Sequence, residues 1–304
     1  MGGPKGRLAR ALGATGALGI AGALGVGARR LLALDRQRGA YRRAWEDHAL
    51  ATLARLNPVS VGSGADPAAG VEGTIDEAGA LASDRPFLLL ALGDSSVQGI
   101  GADRVEESYP ARLASAIGRT TGREVALINV SVSGGTAQTV ELAEIPQLRG
   151  LGLLGGRLRP DLVTLSIGGN DVMNPAIPPE DFAARIGRIL DALPAPTLVS
   201  SIPSFAPMAQ ETRAADMSNR LVEEAVRRGR TIVDLRGLTV AYSLRTYALD
   251  YHAADMFHPN SAAYAIWAQL FLDAYTDAEG LPRADAAAAP RWGMLSTRVA
   301  ESGA

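Results

Sequence analysis

The chain has 304 residues, a formal net charge of −2 and 47% hydrophobic residues, which is enough apolar material to bury one full core. The near-neutral charge gives no electrostatic basis for binding nucleic acid. The absence of cysteine excludes disulfides, zinc–thiolate sites and thiol nucleophiles. It does not indicate whether the protein lies in a reducing or an oxidising compartment, because a chain without cysteine is stable in both.

The first segment, residues 1–34, contains a charge-free run at 11–28 with basic residues on both sides. The run is near the minimum length for a membrane span, but twelve of its eighteen residues are Gly or Ala, so its hydrophobicity is marginal. We interpret the segment as a membrane anchor or signal-like sequence. Two alternatives stay open, because Val26-Gly27-Ala28 is compatible with the end of a cleaved signal peptide and the whole segment with a soluble, frayed terminus.

Residues 35–58 predict an amphipathic helix, in which apolar residues such as Trp45 and Leu53 are interleaved with arginines. Such a helix either lies at a membrane surface or packs on the domain. Residues 1–57 together therefore predict a membrane-associated protein. The arginines that follow the apolar run favour a cytoplasmic catalytic domain, whereas a cleaved signal peptide would make the protein secreted. Residues 59–86, which are rich in Gly, Ala, Asp and Ser, predict a linker.

Residues 87–276 alternate between strand and helix patterns. Apolar runs predict five strands, at 88–92, 125–132, 161–167, 197–202 and 231–235. Helical spacing predicts helices at 109–121, 139–148, 181–193, 210–228 and 261–275. Strands separated by helices predict an α/β fold with a mainly parallel sheet covered on both faces. The remaining residues, 277–304, are rich in Ala and predict a peripheral C-terminal tail.

Polar or glycine residues follow three of the predicted strands. Ser95, Gly134 and Asn170 come after the first, second and third strands, and Asp255 and His258 precede the last helix. The carboxyl ends of parallel strands meet at one edge of a sheet, where ligands bind in open α/β folds. At such an edge Ser95 is a candidate nucleophile, with His258 as its base and Asp255 as the partner of the imidazole. The backbone N–H groups of Ser95 and Gly134 and the Asn170 amide are candidate donors to an oxyanion.

The other two histidines are not assigned to this chemistry. His48 lies in the charged N-terminal helix and is predicted to be exposed, and His252 is predicted to be a surface or pocket residue. No cluster of His and carboxylate residues has metal-ligand spacing and no Walker-type phosphate loop is present, so we predict neither a metal nor a cofactor. The stretch 150–155 matches a dinucleotide-binding pattern by its letters, but it does not follow a strand and is interpreted as a loop.

Four blocks of the sequence resemble the signature blocks of the SGNH (GDSL-type) hydrolase family. They are Gly93-Asp94-Ser95 with Gly99, the segment from Asn129 to Thr136, Gly168-Gly169-Asn170-Asp171, and Asp255-Met256-Phe257-His258-Pro259. The resemblance runs from about residue 87 to residue 275 and implies a three-layer, flavodoxin-like α/β/α sandwich, to which the N-terminal helix is an extension. It also implies Ser95 as nucleophile, His258 as general base and acid, Asp255 as its orienter, and an oxyanion hole of Ser95, Gly134 and Asn170.

The predicted function is a serine esterase or lipase-type hydrolase that cleaves carboxylic esters through an acyl-enzyme on Ser95. The first alternative is an O-acyltransferase or deacetylase of the same family acting on a carbohydrate or lipid, and the second is a catalytically idle binding domain. The expected partner is a small-molecule ester, with a lipid as one candidate, and the oligomeric state stays open. Apolar residues in the flanking loops indicate an acyl or aryl pocket: Met173, Ile177, Phe205, Met208, Tyr247 and Phe257.

Overall fold

The computed structural model describes residues 34–56, 85–156 and 158–294. Its five strands form one sheet in the order β2-β1-β3-β4-β5, and each neighbouring pair is parallel. The strands are β1 (Phe87–Gly93), β2 (Val125–Asn129), β3 (Leu162–Ser166), β4 (Thr197–Ser200) and β5 (Thr231–Val233). The predicted strands are confirmed, and β2 to β5 end one to three residues earlier than predicted.

The helices alternate with the strands as predicted. They are α1 (residues 34–56), α2 (Ser95–Gln98), α3 (Tyr109–Thr121), α4 (Ala137–Thr139), α5 (Ile145–Gly150), α6 (Gly169–Met173), α7 (Pro179–Ala192), α8 (Glu211–Arg227), α9 (Leu235–Val240) and α10 (Ser261–Glu279). A π-helical turn, Val140–Glu144, joins α4 to α5, and a second one, Thr246–Tyr251, lies between α9 and α10. The short helices α2 and α6 were not predicted, because four or five residues carry no helical periodicity.

A hydrophobic core lies on each face of the sheet, because successive residues of a strand point to opposite faces. Phe87, Leu89 and Ala91 belong to the core beneath α3 and α10, whereas Leu88 and Leu90 belong to the core beneath α5, α7 and α8. Every residue of β1 is buried, as expected for a central strand covered on both faces. The predicted three-layer α/β/α sandwich is therefore confirmed.

The carboxyl ends of the five strands form one edge of the sheet, which we call the carboxyl edge. β1 lies between β2 and β3, and the connecting helices α3 and α5 pack on opposite faces. The connections to β2 and to β3 thus leave β1 on opposite sides, and such a change in strand order opens a crevice beyond the strand ends. Gly93 of β1 pairs with Ser166 of β3, and a Cβ at Gly93 would lie 1.9 Å from the Ser166 carbonyl oxygen. Only glycine therefore allows these two strand ends, and the loops that follow them, to approach so closely.

Helix α1 packs along the exposed edge of β2. The indole N–H of the buried Trp45 donates to the carbonyl of Gln98 at 3.0 Å. The prediction of an exposed His48 is wrong, since this residue is buried and hydrogen-bonds to the backbone of Leu127 in β2. Burial, together with the charge of Arg55, lowers the pKa of His48 to about 4. Of the two placements predicted for the amphipathic helix, the structure shows packing on the domain, where the helix covers an edge strand.

The described part of the C-terminal tail also packs on the domain, so the prediction of a peripheral tail is wrong there. Met294 is buried in the core beneath α3 and α10. The ring of Trp292 lies 6.0 Å from that of His48, and Gln269 of α10 accepts the N–H of Ala286 at 2.8 Å. The physical reason is that Trp292 and Met294 add apolar area at the end of a segment that otherwise consists mostly of alanine and polar residues.

The predicted apolar segment 11–28 and most of the predicted linker 59–86 lie outside the described residues. In the part of the chain that the structure does describe, no helix is long and apolar enough to cross a membrane. The membrane association predicted for residues 1–57 stays a prediction.

Candidate active site

Ser95 begins α2, directly after β1 ends. Asp94 caps this helix, and its Oδ1 accepts the backbone N–H of Ser96 at 2.9 Å and the Ser96 hydroxyl at 2.8 Å. The Oγ of Ser95 instead lies 2.8 Å from Nε2 of His258, on the wall of a cavity at the carboxyl edge. Of the two adjacent hydroxyls, that of Ser95 is therefore the one placed next to a base.

Asp255 and His258 lie in the loop before α10. Oδ2 of Asp255 lies 2.5 Å from Nδ1 of His258, and its Oδ1 accepts the backbone N–H groups of Phe257 at 3.1 Å and His258 at 3.0 Å. Burial acts to raise the pKa of Asp255, but the hydrogen bond and charge of His258, with the two backbone donors, lower it to about 2. The ionised carboxylate holds the proton of the imidazole on Nδ1, which leaves Nε2 free to accept a proton from Ser95.

The backbone around His258 is fixed by the elements on each side of it. Its carbonyl accepts the N–H of Ala253 at 2.7 Å, and His252 forms an isolated bridge with Pro259. Asn260 caps α10, since its Oδ1 accepts the N–H groups that follow it at 3.0 Å. The histidine is thus held between a small bridge and a capped helix of 19 residues.

The three predicted oxyanion donors lie on the turns after β1, β2 and β3. Within the described ranges, the backbone N–H groups of Ser95 and Gly134 donate to no protein acceptor, so both are free for a ligand. Gly134 has a φ of +78°, which favours glycine. The side-chain amide of Asn170 donates to the carbonyl of Gly135 at 2.8 Å and lies 3.5 Å from Oδ2 of Asp94. The longer contact is weak, so one amide N–H of Asn170 is hardly engaged.

A buried carboxyl group, Glu144, supports the turn in front of Ser95. It lies in the π-helical turn between α4 and α5, and its Oε2 accepts the N–H of Gly93 at 2.9 Å. Burial raises the pKa of Glu144 well above its ordinary range, and the charge of Asp94 adds to this effect. The sequence offered no indication of this role, because a single Glu in a helical segment is most often exposed.

Two further side chains tie α2 to the loop that carries Gly134. The amide of Gln98 donates to the carbonyl of Ser131 at 2.7 Å, and that of Asn129 donates to the carbonyl of Val97 at 2.9 Å. These bonds set the distance between two of the predicted oxyanion donors. Neither residue was predicted to have this role.

Asp171 lies next to Asn170 in α6 and is buried. Both of its carboxylate oxygens accept the N–H of Ala137, at 3.1 and 3.2 Å, which joins α6 to the start of α4. Burial raises the pKa of Asp171 to about 6. The guanidinium of Arg213 holds the other end of α6 by donating to the carbonyls of Val172 and Asn174, both at 3.0 Å.

Asp171 is expected to make the protein less stable as the pH rises through 6. Because the folded-state pKa is raised above that of the unfolded chain, the folded protein binds this proton more tightly. Its contribution to stability is complete below about pH 4 and is lost as the pH passes 6. In chemical denaturation from pH 4 to 8, the free energy of unfolding of Asp171→Asn should therefore rise relative to wild type by up to about 3 kcal/mol. A difference in the free energy of unfolding between Asp171→Asn and wild type that does not change with pH would contradict the assignment.

A cavity of about 80 Å³ opens beside Ser95. Of the six apolar residues predicted to form a pocket, four line it: Phe205, Met208, Tyr247 and Phe257. Met173 is exposed and Ile177 packs against the core beneath α8, so neither forms part of the cavity wall.

The wall of the cavity contains residues that the sequence did not indicate. Ile167, Tyr251 and Trp267 contribute to it, and so does His252, for which a pocket position had been one of two predictions. The ring of His252 lies 4.0 Å from that of Tyr247 and its Nδ1 lies 2.8 Å from the Tyr247 carbonyl oxygen. Across the described ranges, no three His, Asp or Glu side chains come together as ligands for a metal ion.

Comparison with protein families places residues 91–266, more than half of the chain, in the GDSL-like Lipase/Acylhydrolase family. The fold is similar to the crystal structure of TesA, with 20% identity and a TM-score of 0.50 over 62% of this chain and 98% of that one. It is also similar to a lipase/acylhydrolase from Enterococcus faecalis, with 18% identity and a TM-score of 0.49 over 65% of this chain and 98% of that one. An acetyl xylan esterase variant from Geobacillus stearothermophilus gives 16% identity and a TM-score of 0.49 over 62% and 93% of the two chains. A comparison with curated protein sequences found no match.

Proposed function

Because the chain belongs to the GDSL-like lipase/acylhydrolase family, we propose that it is a serine hydrolase that cleaves carboxylic esters through an acyl-enzyme on Ser95. The family membership confirms the resemblance drawn from the four sequence blocks. The observation that carries the proposal is the chain of contacts from Ser95 Oγ to His258 Nε2, at 2.8 Å, and from His258 Nδ1 to Asp255, at 2.5 Å.

In the first step, Ser95 Oγ attacks the ester carbonyl carbon while His258 Nε2 takes the hydroxyl proton. The carbonyl oxygen becomes an oxyanion, which the N–H groups of Ser95 and Gly134 and the amide of Asn170 stabilise. Loss of one such donor typically costs about 10²–10³ in turnover, so these donors would supply a large part of the catalysis. The imidazolium of His258 forms next to the ionised Asp255, which stabilises its charge.

In the second half of the reaction, His258 gives its proton to the leaving alkoxide and the ester C–O bond breaks. The acyl group stays on Ser95 Oγ, and the alcohol leaves. A water molecule then attacks the acyl carbon while His258 takes one of its protons, and return of that proton to Oγ releases the carboxylic acid and the free enzyme.

The cavity favours a small acyl group. Its volume of about 80 Å³ is well below that of pockets which enclose a drug-sized ligand. The lining is mainly apolar, with Phe205, Phe257 and Trp267 among its residues. We therefore expect an acyl chain of about two to four carbons to enter the cavity, while the alcohol part of the ester stays at the mouth.

The proposal is tested with full-length protein and nitrophenyl esters of increasing acyl length. We expect the largest kcat/KM for acetyl to butyryl esters, and a fall of about tenfold or more for octanoyl esters, since the longer chain exceeds the cavity. Release of nitrophenol should proceed in water without an added acceptor alcohol.

The same assay separates the alternatives. Release of nitrophenol that requires an added alcohol, and that yields a new ester, would show an acyltransferase. The absence of any turnover, with the protein still folded, would favour the binding domain and contradict the proposal.

A further inference from the structure

Helix α1 begins at the carboxyl edge of the sheet and runs to the opposite edge, where the strands begin. The side chain of Gln37, one turn from its start, donates to the carbonyl of Ala102 at 2.6 Å and accepts the N–H of Gly101 at 2.9 Å. Gly101 lies against the loop before α10, since a Cβ at Gly101 would lie 3.1 Å from Cβ of His258. About 27 Å further along the helix, at 1.5 Å per residue, Arg55 pairs with Glu124 immediately before β2.

Residues 1–33 therefore join the described structure at the carboxyl edge, beside His258. The uncharged run 11–28 ends six residues before the start of α1. Six residues span at most about 20 Å even when the chain is fully extended. A bilayer that holds residues 11–28 would thus lie within about 20 Å of the start of α1, at the carboxyl edge, and not at the opposite edge of the sheet.

Exposed apolar side chains are concentrated in the segment 240–256, which also supplies Tyr247, Tyr251 and His252 to the cavity wall. Within the described ranges nine large apolar side chains are exposed, and four of them fall in the segment 240–256. Three of these, Leu244, Leu249 and Met256, we call the apolar rim. Leu244 and Leu249 are each 70% exposed, which leaves most of their apolar surface in water.

The apolar rim adjoins residues that form the cavity wall. Leu249 lies in the π-helical turn that also supplies Tyr247 and Tyr251 to the wall. The hydroxyl of Tyr247 donates to the carbonyl of Met256 at 2.9 Å, which connects the two parts of the rim. A surface that contacts the rim would therefore lie next to the segment that forms part of the cavity beside Ser95.

We propose that the apolar rim inserts into the surface of a lipid bilayer, which residues 1–33 hold at the carboxyl edge. The inference rests on the proposed ester hydrolysis for its substrate, an amphiphile that carries a short acyl ester and is embedded in the bilayer. The acyl group enters the small cavity, and the bulk of the alcohol part stays in the lipid. Apolar side chains at a protein surface bind a bilayer by burying their area in the boundary between headgroups and acyl chains.

The insertion can be measured without any catalysis. Because the chain has no cysteine, a single cysteine can carry an environment-sensitive fluorophore in the full-length protein. On vesicles of phosphatidylcholine and phosphatidylglycerol, the fluorophore on Leu249→Cys should gain at least about twofold in intensity and shift to shorter wavelength. The matched control is Leu142→Cys, at a side chain that is 61% exposed on the π-helical turn between α4 and α5. An equal response at the two positions, or no response at 249, would overturn the proposal.

The consequence for the substrate is tested with rim variants. The double variant Leu244→Glu/Leu249→Glu should lose at least about tenfold in the cleavage of a short-chain acyl ester of a vesicle-bound lipid, and keep its rate on a water-soluble acetyl ester. The control Leu142→Glu/Val226→Glu changes two side chains that are 61% and 62% exposed, and it should keep both rates. Equal loss in the two double variants would contradict a specific role of the rim. If no protein cleaves the soluble ester, the proposed function fails, and the fluorescence measurement still decides whether the rim inserts.

Discussion

His258→Ala is expected to lower kcat/KM for ester hydrolysis by at least about 10³-fold. The substitution removes the group that takes the proton of Ser95, whose hydroxyl is a weak nucleophile without a base. It also leaves the carboxylate of Asp255 without the imidazole that lies 2.5 Å from it. In the wild-type enzyme the pKa of Asp255 is about 2, so its carboxylate is ionised at neutral pH and stabilises the imidazolium that His258 forms, and this contribution is also lost in the variant.

His252→Ala is the matched comparison, since it removes the other histidine of the cavity wall. Nδ1 of His252 faces the Tyr247 carbonyl oxygen, and burial lowers the pKa of the ring. Among the described residues no hydrogen bond joins His252 to Ser95, so its removal should cost less than about tenfold. Steady-state kinetics on both variants, with circular dichroism to verify folding, decides the matter. Losses of the same size would contradict the assignment of His258 as the base.

The strands could be predicted because they are buried on both faces. Leu88 to Leu92 have no polar alternation, and in the structure every residue of β1 is buried between two helical layers. The helices α3 and α10 could be predicted for a different reason, since apolar residues at helical spacing lie on one face of a helix and can all pack on the core only if the segment is helical. Their ends were less certain, and α10 runs on to Glu279 because Gly280, with a φ of +64°, ends it.

The packing of α1 and of the tail could not be read from local pattern. The residues next to His48 in the sequence do not indicate whether it is buried. It is buried because it lies against the edge strand β2 and the ring of Trp292, which come from distant parts of the chain. Tertiary contacts thus decided between the two placements that the amphipathic pattern of α1 allowed. The tail follows the same rule, because Met294 is buried only after α3 and α10 have formed its site.

The residues that would perform the chemistry were predictable, whereas those that support them were not. The candidate residues stand in four short blocks, three at the ends of predicted strands and one before the last helix, so that fold and spacing indicate the same edge. Glu144 and Gln98 act on backbone groups of other segments, at Gly93 and at the loop after β2. Any polar side chain of suitable length can do this, and therefore the sequence carries no pattern for it.

The central claim is that Ser95 is the nucleophile, and covalent labelling tests it most directly. A fluorophosphonate reacts with an activated serine by forming a bond from Oγ to phosphorus with loss of fluoride, and the Oγ of Ser95 lies 2.8 Å from the base that would take its proton. Intact-mass measurement of the full-length protein should show one adduct, which fragmentation of the peptide places on Ser95. Ser96→Ala should keep the adduct, because the Ser96 hydroxyl is bound to Asp94, and Ser95→Ala should lose it completely. An adduct that persists in Ser95→Ala, or a folded wild-type protein that forms none, would contradict the account.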